Sequence, residues 1–142
     1  MKNIIIIAGH GHYASGMKSS LEMICGENED IYAVDFESID SNITIQNKYK
    51  AIIEKNSERG ILIACDLLGG TPFKEASMLA FSNPLIEVVV GSNIGSLIEM
   101  SMKKDNYNIK DLAIQVVEAS KKNIVHFDKQ LKLKEQNSND GI

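Results

Sequence analysis

Four consecutive isoleucines, Ile4 to Ile7, followed by Ala8 and then Gly9-His10-Gly11-His12, constrain this chain more than any other feature. A β-branched run with no polar alternation has no face to turn to water. It belongs in a strand buried on both sides, and such strands occur in parallel sheets covered by helices on both faces. The apolar stretch stops at Gly9, short of the roughly 7–15 apolar residues of a secretion signal and the ~20 of a membrane span. The expectation is an internal strand of a cytoplasmic protein.

Two similar runs follow, Gly60 to Cys65 and Leu85 to Val90, with a weaker one from Ile31 to Phe36. Between them apolar residues recur at helical spacing: Ala14, Met17, Leu21, Ile24 and Cys25, then Ile45, Tyr49, Ile52 and Ile53, then Phe73, Ala76, Met78, Leu79 and Ala80. Two more helices are expected over Ile94 to Met102 and Ile109 to Ala119, broken at Asp105-Asn106. Ile124 to Phe127 reads as a short last strand. Strands alternating with helices predict an α/β fold: a three-layer sandwich with a mostly parallel central sheet, helices on both faces, and a short C-terminal strand.

The 142 residues suit one domain, expected over 1–127, with 128–142 a polar tail that frays through Lys132 to Asn139. With 44% hydrophobic and 24% charged residues the chain is ordinary globular material. A net charge of −4 speaks against general nucleic-acid binding. Cys25 and Cys65 lack metal-type spacing and are expected as buried free thiols, and the methionines as core-facing helix residues.

In parallel sheets, chemistry gathers beyond the carboxyl ends of the strands. Here those ends carry Gly9-His10-Gly11, Asp35-Phe36-Glu37, Asp66 to Pro72, and Gly91-Ser92-Asn93. His10 alone reads as a loop histidine and Asp66 alone as a turn residue. If the first and third strands are neighbours, the two can meet. The carboxylate would then fix the ring tautomer and leave the other nitrogen as a nucleophile. Thr71 as cap and Pro72 at the first helical position signal a helix start. Gly69 and Gly70 before it would expose backbone N–H groups to an anion such as a phosphoryl group.

Two rival readings use the same residues. Gly9-x-Gly11-x-x-Ala14 fits a nucleotide-binding loop, with Asp35 or Glu37 as the ribose acid. His10, His12 and Asp66 could instead ligate a metal, although His12 reads better as a rim residue and Lys74 as a solvated helix position.

The segment Asp66-Leu67-Leu68-Gly69-Gly70-Thr71-Pro72-Phe73, paired with Ile7-Ala8-Gly9-His10-Gly11, Asp35-Phe36 and Gly91-Ser92-Asn93, resembles the IIA component of the mannose-type sugar phosphotransferase system. Gly16, Glu22-Met23-Ile24 and Gly26 add to the likeness, which runs from Lys2 to about Phe127. The resemblance implies that His10 accepts a phosphoryl group from phospho-HPr and passes it to a IIB component. It implies that Asp66 orients the ring, and that Thr71 with the backbone after Gly69 and Gly70 holds the phosphoryl oxygens. It further implies a homodimer with Ile124 to Phe127 as an antiparallel last strand exchanged between subunits, a membrane link only through a IIC/IID permease, no nucleic acid, and no metal or organic cofactor. A purely regulatory IIA-like domain is a variant of the same reading. The chain departs from the family pattern at Gly9, where Ser or Thr is common, at Lys74, where a small polar residue is common, and at Gly95, near a common proline.

Overall fold

Parity along the first strand sets the architecture. β1 (Ile4–His10) sends Ile5 and Ile7 to one face and Ile4, Ile6 and Ala8 to the other, because successive side chains in a strand alternate. In the computed structural model, which describes residues 2–129, each face meets its own helical layer. β2 (Ile31–Phe36), β3 (Ile61–Cys65) and β4 (Ile86–Val90) join β1 in the order β2-β1-β3-β4, and every pairing is parallel.

On one face lie α1 (Tyr13–Cys25), α4 (Ile94–Lys103) and α5 (Ile109–Lys122), which contribute Leu21, Leu97, Met100, Leu112 and Val116. On the other lie α2 (Asn42–Lys55) and α3 (Thr71–Ser82), which contribute Ile45, Tyr49 and Ala76. Burying each such large aliphatic side chain contributes roughly 1.5–3 kcal/mol. A 3-10 turn at Lys104–Asn106 separates α4 from α5, at the expected break. Side-chain caps start three helices: Ser41 on Thr44, Asn93 on Ser96, and Asn108 on Asp111.

Three expectations are corrected. Ile124 to Phe127 forms no strand, so among the described residues the sheet has four strands, all parallel. An apolar run builds a ladder only alongside an edge strand, and this one leaves α5 with Ile124, Val125 and Phe127 exposed. Cys25 is exposed, and so are Met23, Met78 and Met102. At the end of α1, Cys25 borders an open crevice with Ser101 and Met102 of α4, so helical spacing there does not mean burial. The stretch Lys132 to Asn139 lies outside the described residues.

At the opposite end of the sheet from the glycine-rich loops, Asp30 pairs with Arg59 Nη2 at 2.7 Å and with Lys104 Nζ at 3.1 Å. Lys104, only 3% exposed, also meets Asp105 at 2.9 Å. Burial by itself raises the pKa of Asp30. The hydrogen bonds and charges of Arg59 and Lys104 outweigh it and hold the carboxyl below its ordinary value. A carboxyl depressed in the folded state contributes stability that is complete above its unfolded pKa of roughly 4 and drains away as the pH falls through the folded one. The thermal midpoint is therefore expected to drop between about pH 5 and pH 3, with a shallower drop in Asp30→Asn. An equally steep acid loss in the variant would remove Asp30 from this account.

Candidate functional site

The strand order reverses at β1 and β3. The chain passes from β1 outward to β2, then returns across β1 to β3. A crevice opens beyond the carboxyl ends at such a switch point. The register sets Ala8 opposite Cys65, so the residues after each strand meet. The Asp66 amide donates to the Ala8 carbonyl at 3.1 Å.

One oxygen of Asp66 holds His10 twice: Oδ2 accepts from the His10 backbone N–H and lies against ring Nδ1, both at 2.9 Å. An ionised carboxylate only accepts, so Nδ1 carries the proton and Nε2 keeps its lone pair. The other oxygen, Oδ1, is buried with no hydrogen-bond donor among the described residues. The His10 side chain is 47% exposed and that of Asp66 16%. Phe36, the register partner of His10 on β2, stacks on the imidazole with ring centroids 5.7 Å apart and planes 16° from parallel.

The loop after β3 completes the site. Gly69 turns the chain at φ +83°, a conformation that favours glycine. Gly70 lies under the imidazole: a β-carbon there would stand 2.9 Å from Cε1 and 3.5 Å from Nε2. Gly70 is the residue that caps α3, with Thr71 the first helical residue and Pro72 the second. Thr71 is thus not the cap that its sequence context suggested. Extended Gly70 already makes the turn, and the Thr71 hydroxyl makes no hydrogen bond among the described residues. The amides of Thr71 and Phe73 in the first turn are open to an anion, while Pro72 has none.

Behind the loop, the buried Tyr49 hydroxyl donates to the Pro72 carbonyl at 2.8 Å and anchors the helix start. Burial pushes the neighbouring Cys65 thiol up to about 12, so it stays protonated and inert.

His12 does not join His10. Its ring is 81% exposed and its Nδ1 lies 3.5 Å from Asp35 Oδ2, so the combination of His10, His12 and Asp66 is not assembled. Asp35 in turn accepts from the Ser15 amide at 3.0 Å and the Ser15 hydroxyl at 2.6 Å, capping α1 from the neighbouring strand where His12 makes no side-chain cap. Burial raises the pKa of Asp35, but the bonds from Ser15 and His12 outweigh it and hold the carboxyl below its ordinary value. Asp35 is therefore committed to α1 rather than open to a ribose, and Glu37 is exposed past the strand end. Among the described residues no group of three or more His, Cys, Asp or Glu is placed to hold a metal ion. Lys74 is exposed in the first turns of α3, with no ion-pair partner among the described residues.

Sequence reasoning missed two residues at the site. Phe36 could have been found by pairing the ends of the first two strands. Tyr13 lies half-buried beside Gly9: a β-carbon on Gly9 would stand 2.5 Å from Tyr13 Cδ1 and 2.8 Å from Asp66 Cγ.

Comparison with known proteins shows the family. Residues 4–117 match the family described as PTS system fructose IIA component. The fructose-specific EIIA component of Bacillus subtilis is 31% identical over 109 residues, covering 76% of this chain and 75% of that protein. The sorbose-specific EIIA component of Lacticaseibacillus casei is 30% identical over 108 residues, covering 76% and 78%. Among solved structures, a mannose/sorbose-specific IIA subunit from Enterococcus faecalis superposes with a TM-score of 0.83 at 30% identity, covering 90% of this chain and 96% of that one. A histidine and an aspartate brought together at the switch point of a parallel sheet thus stand in a chain that matches this family over most of its length: the protein belongs to the fructose/mannose/sorbose family of IIA components, the phosphocarriers of sugar phosphotransferase systems.

Proposed function

We propose that His10 is the residue that carries the phosphoryl group, receiving it from phospho-HPr and delivering it to a IIB component. The observation that carries this reading is the 2.9 Å pairing of Nδ1 with Asp66, with the Cε1–Nε2 edge of the ring against Gly70 at the start of α3. The Nε2 lone pair attacks phosphorus and a new P–N bond forms. The P–N bond of the donor phosphohistidine breaks, and its electron pair remains on the donor ring. His10 becomes a cationic phosphohistidine that keeps its Nδ1 proton on Asp66. Delivery runs the same steps in reverse, with an acceptor nucleophile on the IIB partner. The Thr71 hydroxyl and the open amides of Thr71 and Phe73 hold the phosphoryl oxygens. Positioning and electrostatics do most of the work in such transfers.

The same reading puts the protein in the cytoplasm. No helix among the described residues is long and apolar enough to cross a membrane, and the membrane enters through a IIC/IID permease. Residues 1–127 form the working domain. A second copy is the natural cover for Ile124, Val125 and Phe127, which are exposed while β4 is an edge of the sheet. We propose that they are exchanged in a homodimer, and sedimentation at twice the mass of one chain tests this.

Incubation with phosphoenolpyruvate, enzyme I and HPr, followed by mass spectrometry, tests the carrier role. One added phosphoryl group, lost in mild acid and mapped to the peptide that holds His10, is the expected result. An acid-stable adduct, or a label on another peptide, would overturn it.

A further inference from the structure

We propose that Tyr13 is a positioning residue for the transfer: its ring, seated in the space that Gly9 leaves by having no side chain, closes one side of the Asp66 carboxylate and keeps its charge directed at His10 Nδ1. This rests on His10 being the phosphoryl acceptor.

Three observations meet at one point. The first is the approach at Gly9, whose missing β-carbon would stand 2.5 Å from Tyr13 Cδ1, 2.8 Å from Asp66 Cγ and 2.9 Å from Asp66 Oδ2. Phenol ring and carboxylate therefore both pack on the bare Cα, and any side chain at position 9 would push one of them away. The second is the division of labour within Asp66. Oδ2 takes both contacts with His10, whereas Oδ1 is buried without a donor. A carboxylate oxygen shut away from water is costly by itself. The shielding also lowers the local dielectric and so strengthens the charge-assisted bond that the other oxygen makes. The third is the state of Tyr13. Burial pushes its hydroxyl pKa up most, and the Asp66 charge adds to the rise, which places the two groups in electrostatic reach. Its hydroxyl makes only a long 3.5 Å bond to the Ser92 carbonyl. The ring, rather than the hydroxyl, is what the site uses.

Opening the seal would let water reach Asp66, weaken its hold on Nδ1–H, and let the imidazole populate the other tautomer, which has its proton on Nε2. In that tautomer Nε2 has no lone pair for phosphorus. Two readouts test this. Nitrogen-15 NMR of the free protein reads the His10 tautomer, and single-turnover uptake from phospho-HPr reads the rate.

Tyr13→Ala is expected to raise the Nε2–H fraction and slow uptake about tenfold, and Tyr13→Phe, which retains the ring, to restore both. Gly9→Ser is expected to slow uptake in either background, since its β-carbon would meet the Asp66 carboxylate as well as the Tyr13 ring. A Tyr13→Ala protein that folds with an unchanged tautomer would overturn the proposal, as would a Tyr13→Phe protein that behaves like Tyr13→Ala. If the wild-type chain accepts no phosphoryl group at His10, it is the carrier reading that falls, and the tautomer measurement still judges Tyr13.

Discussion

A chain with the substitution His10→Gln is expected to gain no phosphoryl group under conditions that label the wild type to completion. The loss should be total rather than partial, because the glutamine amide has no nucleophilic nitrogen and no second histidine stands in for the first. His12, two residues on, is exposed and turned to Asp35. The fold should survive. His10 ends its strand, half exposed, and its contacts are with Phe36, Asp66 and the loop. A stability change within about 1 kcal/mol is expected for such a position. His12→Gln should label normally. A label that persists in His10→Gln and vanishes in His12→Gln would transfer the role to His12.

Asp66→Asn is expected to slow uptake by about 10³-fold, without lowering the final stoichiometry. The asparagine oxygen can still accept from the ring, but the negative charge is gone at the step where attack on phosphorus leaves the imidazole cationic. One rotamer of the amide also sets an NH₂ against the backbone N–H of His10, which now donates to Oδ2. In the Ser-His-Asp triad the same Asp-to-Asn change leaves the geometry intact and selects the wrong tautomer. Single-turnover kinetics is the measurement. A slowing of less than about tenfold would reduce Asp66 from partner in the chemistry to a residue that shapes the loop.

The sheet was legible because its cause is local: uninterrupted β-branched runs admit no solvated face, and their spacing demands crossovers. The His10–Asp66 pair was legible once β1 and β3 were taken as neighbours. Other features depend on what lies across a gap, and one chain direction does not encode that. The exposure of Met23 and Cys25 depends on how closely other elements approach the last turn of α1, where an open crevice borders Cys25. The cap on α1 comes from Asp35 on a different strand. Thr71 missed the cap by one residue, because an extended glycine can make the turn by itself and helix ends shift easily by a position. Phe36 and Tyr13 act through strand register and a missing side chain, neither of which forms a motif.

The carboxylate and the imidazole of the central pair are 56 residues apart in the chain. They meet only after β2 and α2 have been threaded between them and β3 has docked on β1. Closing so long a loop comes late and slowly in folding, since its entropy is spent before the parallel pairing repays it. A nascent or partly unfolded chain therefore holds the histidine without the carboxylate that orients its ring, and on the proposed carrier reading fast uptake waits for closure of the sheet. On that reading, the rate of phosphoryl uptake reports whether β3 has docked on β1.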